Sequence, residues 1–198
     1  MADTYQTILN DAEGIFKDRG SKFIGYAFQV SDEEQVKERI NILKKLHPSA
    51  RHFCYAYRID PLNEKWRAND DGEPASSAGK PILNQMKSVG VQNCLVVVVR
   101  YFGGTLLGVP GLIHAYRETA ALALEEAGIQ NKLITVRVEV LCPYAESGEL
   151  MKMIKQLHVD YRPGSNAESF MLQAEIPFSE TDQFIHKVEE KGWIANRH

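Results

Sequence analysis

Ile24, Tyr26, Phe28 and Val30 recur at every second position, the period of a half-buried strand, and the turn Asp18-Arg19-Gly20-Ser21 precedes them. With residues 14–17 as partner they predict a hairpin. Ser31 and Glu34 then form a capping-box pattern, and Val36, Ile40, Leu43 and Leu46 continue at helical spacing until Pro48. Residues 51–59 return to period two: Phe53, Tyr55, Tyr57 and Ile59 face a core while His52, Cys54, Ala56 and Arg58 face the other way. A polar loop with a short strand near Trp66 leads to Asp70-Asp71-Gly72-Glu73-Pro74. A helix beginning in Ser76-Ser77-Ala78-Gly79-Lys80-Pro81 follows, with Ile82, Leu83, Met86 and Val89 on its apolar side.

Residues 95–99 form a short, wholly apolar run of the kind that suits a strand buried on both faces. Gly103, Gly104, Gly108 and Gly111 crowd the nine residues after Phe102, and an Ala-rich helix over 112–127 ends at Gly128. Strand, glycine turn and helix in that order can aim backbone N–H groups at an anion. The second half predicts a strand over 134–141, a helix over 145–157, strands at 159–162 and 169–176 around a Pro163-Gly164-Ser165-Asn166 turn, a helix capped by Ser179 and Asp182, and a last strand from Trp193. This βαββαβ order is the ferredoxin-like pattern. The expected fold class is α+β with two domains, 1–130 and 131–198.

The 198 residues have the composition of an ordinary globular protein, without low-complexity segments or short repeats. No apolar run approaches the ~20 residues that span a bilayer, and Met1-Ala2-Asp3-Thr4-Tyr5-Gln6 lacks a signal-peptide pattern, so a cytoplasmic location is expected. Cys54, Cys94 and Cys142 are odd in number and lie in apolar settings, which predicts reduced thiols and no disulfide. Net charge is −3, with 15 basic against 16 acidic residues over 1–128 and 8 against 10 over 129–198. Neither half suits a non-specific nucleic-acid binder, whose affinity comes from many phosphate contacts, but a local basic patch or a structured-RNA contact remains compatible.

Several motifs carry candidate chemistry. The 72–80 segment imitates a phosphate-binding P-loop, but six residues rather than four separate Gly72 from Gly79, and Pro81 stands where Ser or Thr would hold magnesium. The glycines after Phe102 also fail the dinucleotide spacing G-x-G-x-x-G. What survives is a generic anion cradle with Arg100 as charged partner. Asp70, Asp71 and Glu73 suit a hard cation or a general base, or plain turn chemistry. His52 and Cys54 share a strand face, but residues two apart in a strand sit ~7 Å from each other, and a buried structural cysteine is the simpler reading. No His or Cys spacing supports zinc; neither a metal nor a cofactor is expected. Tyr55, Tyr57, Trp66, Tyr101, Phe102 and Tyr116 interleave with Arg51, Arg58, Arg100 and Arg117, either as stacking platforms for bases or as core.

Three motifs in order carry a resemblance. They are Arg51-His52-Phe53-Cys54-Tyr55-Ala56-Tyr57-Arg58; Asp70-Asp71-Gly72-Glu73-Pro74 with Ala78-Gly79-Lys80-Pro81-Ile82-Leu83; and Val97-Val98-Val99-Arg100-Tyr101-Phe102-Gly103-Gly104 with Leu107-Gly108 and Gly111-Leu112. The chain resembles the YigZ/IMPACT family over residues 15–128, and its tail looks like the C-terminal domain of bacterial YigZ-like members. The resemblance implies an α/β sandwich like domain IV of elongation factor G and of GHMP-type small-molecule kinases, followed by a domain V-like tail. It also implies a link to translational control, which eukaryotic IMPACT proteins exert by interfering with activation of an initiation-factor kinase. The chain departs from the family pattern at Val109-Pro110, where proline removes an N–H donor, and at His114, where a basic Arg is frequent.

The expectation is a non-enzymatic, translation-associated regulator that binds RNA, the ribosome or a translation factor, with a small anion at the glycine loop and no membrane partner. Its cleft would be lined by His52, Tyr55, Arg58, Asp70, Asp71, Glu73, Lys80, Arg100, Tyr101, Phe102, Gly103, Gly104, Gly108, Gly111 and His114. The alternatives are a hydrolase or phosphoryl-handling enzyme using Asp70, Asp71 and Glu73, and a protein-interaction adaptor using the tail.

Overall fold

The computed structural model describes residues 3–164 and 168–198, in two compact units. The N-terminal unit is Tyr5–Lys132; the C-terminal unit is Leu133–His198 with Asp3 and Thr4. The elements of the first are β1 (Thr4–Ile8), β2 (Ala12–Asp18), β3 (Ser21–Gln29), α1 (Glu33–Leu46), β4 (His52–Ile59), β5 (Lys65–Asn69), α2 (Gly79–Val89), β6 (Cys94–Tyr101), α3 (Gly108–Ala127) and β7 (Ile129–Leu133). β1 pairs with β7, and the main sheet runs β2-β3-β6-β4-β5 with every neighbour antiparallel.

β6 lies at the centre of that sheet and is buried on both faces, as its unbroken apolar run predicts. On one side Leu95, Val97 and Val99 meet Val36, Ile40 and Leu43 of α1; on the other Val96 and Val98 join Ile82 and Met86 of α2 and Tyr116 and Ala120 of α3. Each fully buried valine contributes roughly 1.5–3 kcal/mol relative to an exposed one. β4 obeys the predicted alternation: Phe53, Tyr57 and Ile59 belong to the α1 layer, Cys54 and Ala56 to the α2/α3 layer.

The predicted first hairpin is present, with Arg19 and Gly20 at positive φ in a two-residue turn. Helix starts shift for physical reasons. Asp32, not Ser31, caps α1: its carboxylate accepts from Gln35 N at 2.8 Å while Gln35 Oε1 accepts from Ser31 N. α3 starts at Gly108 rather than at 112, because Pro110 in the first turn needs no hydrogen-bonded N–H there.

The C-terminal unit consists of β8 (Thr135–Cys142), a 3-10 turn (Tyr144–Glu146), α4 (Ser147–Leu157), β9 (Tyr161–Pro163), β10 (Phe170–Pro177), α5 (Phe178–Glu189) and β11 (Ile194–Arg197). Its antiparallel sheet has the order β11-β8-β10-β9. Val138, Val140, Leu172, Ala174 and Ile176 of the sheet pack against Leu150, Ile154, Phe184 and Val188 of the helices. α5 begins one residue before Ser179, with Pro177 as N-cap, so the expected Ser179 cap is not formed. Ser165 and Asn166 of the expected turn lie outside the described residues.

Candidate functional site

The antiparallel register places His52, the first residue of β4, opposite Arg100 near the end of β6, with Phe23 of β3 opposite Arg100 on the other side. Arg100 Nη1 donates to Glu73 Oε1 at 2.6 Å, and the two side chains are 7 % and 4 % exposed. Tyr116 of α3 donates its hydroxyl to the same Oε1 at 2.8 Å. Phe23 and Phe102 flank the guanidinium at 5.4 and 5.6 Å, so cation–π contact offsets part of its desolvation. Cys54 Sγ lies 3.0 Å from Asp70 O and 3.3 Å from Tyr116 Oη, and its single proton serves one of them at a time. Burial pushes the Cys54 thiol and the Tyr116 phenol well above their ordinary ranges, so both stay protonated.

Asp70 and Asp71 shape the loop that delivers Glu73. Asp70 Oδ1 accepts from Ala78 N and Gly79 N, and Oδ2 from Ser76 N, which caps α2. Asp71 Oδ2 accepts from Phe53 N at 2.7 Å, and Asp71 O accepts from His52 Nδ1 at 2.8 Å. These bonds account for the polar run that sequence alone leaves open between turn and cation chemistry. Among the described residues no group of three or more His, Cys, Asp or Glu side chains is arranged to hold a metal ion.

Above the buried pair lies an open cleft of about 440 Å3, lined by Ser49, Arg51, His52, Arg100, Tyr101, Phe102 and Leu106. Phe102 is 56 % and Leu106 81 % exposed. Arg51 is exposed and makes no ion pair among the described residues. On the α1 side, His47 bridges Tyr26 and Tyr101 with both ring nitrogens at 2.8 Å from the hydroxyls. Burial lowers the His47 pKa and, with Glu13, raises Tyr26 to about 12.

The residues expected in one cleft therefore divide. His52, Arg100, Tyr101 and Phe102 line it, Glu73 holds Arg100 from below, and Asp71 fixes His52. Arg58 sits at the far end of β4, about 20 Å along the strand, where it donates to Glu64 at 2.7 Å and to Val91 O at 2.9 Å. Tyr55 is in the α1 layer, Lys80 is exposed on α2, and His114 packs edge-on against Phe16 and meets Arg117 and Glu118. Gly103 abuts the β2–β3 turn, Gly104 takes a φ of 85° in open space, Gly108 takes a φ of 70° at the start of α3, and Gly111 lies inside it beside Arg19. Ser49, Arg51 and Leu106 are the lining residues absent from the expected set. The signal for Arg51 was its place just before an alternating strand; Leu106 had none beyond its position among glycines.

Residues 19–124, an interval that contains every residue lining this cleft, match the Impact N-terminal domain. The chain belongs to the IMPACT family. It is 33 % identical over 191 residues to IMPACT family member YvyE of Bacillus subtilis, covering 96 % of this chain and 82 % of that protein. The IMPACT homolog of Saccharomyces cerevisiae is 36 % identical over 120 residues, 58 % of this chain and 45 % of its own. A crystal structure of a hypothetical protein is 26 % identical and covers 98 % of this chain and 97 % of that one, with a TM-score of 0.77. The two-unit α+β architecture is thus shared over nearly the whole length.

Proposed function

We propose that this IMPACT-family chain is a translation-associated regulator that binds RNA through the cleft between β4 and β6, on the ribosome or with a translation factor. The observation that carries the reading is the cleft itself: an Arg51 with no ion pair among the described residues and an exposed Phe102 stand over a buried Arg100 held by Glu73. A cationic rim with an aromatic platform is the combination that binds unstacked nucleic acid despite a net negative chain. Asp70 and Asp71 commit carboxylate oxygens to backbone N–H groups and Glu73 commits its own to Arg100 and Tyr116, which favours a scaffold over an acid–base set. The link to translation rests on membership in the family, whose eukaryotic members the sequence resemblance ties to translational control.

Ribosome co-sedimentation of the purified chain tests the reading. Arg51→Glu is expected to abolish binding, whereas Lys152→Glu, an equal charge change on α4, leaves it intact. Wild-type chain that stays in the supernatant, or pelleting insensitive to Arg51→Glu, refutes it. Release of the bound chain by ribonuclease separates RNA contact from contact with a protein factor.

A further inference from the structure

The cleft combines three features that together narrow its ligand. First, Arg100 is 93 % buried, one Nη group is engaged by Glu73, and its Nε, itself buried, has no hydrogen-bond partner among the described residues. The charged side chains that line the cleft are Arg51 and Arg100, while Glu73 pairs with Arg100 from below and Asp71 is turned to the Phe53 amide, so the lining itself is cationic and favours an anion. Second, Phe102 and Leu106 present apolar surface at the rim of the same cleft. Third, His52 adds an acceptor. Its Nδ1 faces a carbonyl oxygen, which can only accept, so Nδ1 carries the proton and Nε2 of the neutral ring is an acceptor. Nε2 has no partner among the described residues, and His52 lines the cleft.

An acceptor in an anion-attracting cleft calls for a ligand that carries both negative charge and a donor hydroxyl. A carboxylate alone lacks the hydroxyl, and a hydrogen phosphate has one but offers no apolar face to Phe102 and Leu106. A ribonucleotide supplies a phosphate, a base with a π-face and a 2′-hydroxyl that donates; deoxyribose lacks that hydroxyl. The volume of about 440 Å3 falls within the range of ligand pockets, about 300–1,000 Å3. Resting on the RNA-binding reading above, we infer that this cleft takes one unpaired ribonucleotide of a single-stranded RNA. The phosphate meets Arg51 and Arg100, the base lies against Phe102, and the 2′-hydroxyl donates to His52 Nε2.

The test is fluorescence anisotropy of the full chain with a labelled single-stranded RNA, the 2′-O-methyl RNA and the DNA of the same sequence. RNA is expected to bind about 2- to 10-fold more tightly than either analogue, the range for one hydrogen bond. Phe102→Ala, at an exposed position outside the hydrophobic cores though in cation–π contact with Arg100, is expected to weaken RNA binding about fivefold or more, the loss of one base–aromatic stack. His52→Ala is expected to close the gap between RNA and DNA. Equal affinity for RNA and DNA, indifference to Phe102→Ala, or no binding of single strands overturns the inference. Ribosome co-sedimentation measured on the same samples separates the two claims: if it persists in any of those cases, only the ribonucleotide site falls.

Discussion

Neutralising one end of the buried Arg100–Glu73 pair should expose how much of the N-terminal unit depends on it. At 2.6 Å and an effective dielectric near 20 the attraction is roughly 6 kcal/mol. Desolvation of several kcal/mol per ion opposes it, so the pair contributes little net stability relative to apolar residues of the same shape. Removing one partner is different, because the other charge stays buried. Glu73→Gln leaves the Arg100 guanidinium without a counter-charge, although the amide oxygen can still accept from Nη1 and the Tyr116 hydroxyl in place of Oε1. The expected loss is about 3–5 kcal/mol. The double change Arg100→Met with Glu73→Leu removes both charges and should recover at least half of it. Urea unfolding followed by hydrogen exchange of the β6 amides reports the N-terminal unit alone. A Glu73→Gln loss under ~1 kcal/mol, or a double variant that loses the sum of the two single changes, would refute the reasoning.

Further expectations concern the loops, the thiols and a histidine. A Cβ on Gly103 would sit 1.9 Å from the Gly20 carbonyl carbon, so Gly103→Ala should displace the loop and destabilise by about 1–3 kcal/mol or more in urea melts, whereas Gly104→Ala, in open space at positive φ, should lose ~1–2 kcal/mol. Asp70→Ala removes the acceptor for three amides at the start of α2 and should cost about 1–2 kcal/mol, with faster exchange at Ala78 and Gly79. Burial raises the pKa of Cys54, Cys94 and Cys142, which keeps the thiolate scarce; native protein at neutral pH should resist iodoacetamide, and stoichiometric labelling without denaturant would contradict this. His47 is held neutral below the ordinary imidazole range, so the unfolded chain binds its proton first on acidification. Its contribution to stability is present above the unfolded value near 6.5 and declines as pH falls below it, which an NMR titration of the His47 ring beside a pH series of urea melts will follow.

Periodicity made the sandwich legible where one rule dominated. The all-apolar β6, the alternating β4 and the α1 repeat each assign their own face, and the Arg19-Gly20 turn closes the hairpin. β1 and β7 were not legible, because Thr4–Ile8 and Ile129–Leu133 are short, mixed in polarity and become strands only by pairing across more than a hundred residues. The site was half legible for a similar reason. Strand alternation puts His52, Cys54 and Arg58 on one face, but rise along the strand carries Arg58 to its opposite end. Asp70 looked chemical because its role, capping a helix that begins nine residues later, is set by a loop path that no local pattern encodes.

The backbone contact between Gly103 and the Gly20–Ser21 turn fixes one end of the 102–107 loop, and α3 fixes the other. Most of the ordering entropy of this segment is therefore lost when the chain folds, before any partner arrives. A ligand has only exposed side chains such as Phe102 and Leu106 left to immobilise, at about 0.5–1.5 kcal/mol each. Recognition at this rim should accordingly be fast and shape-selective, and its specificity open to change by rim substitutions that leave the fold alone.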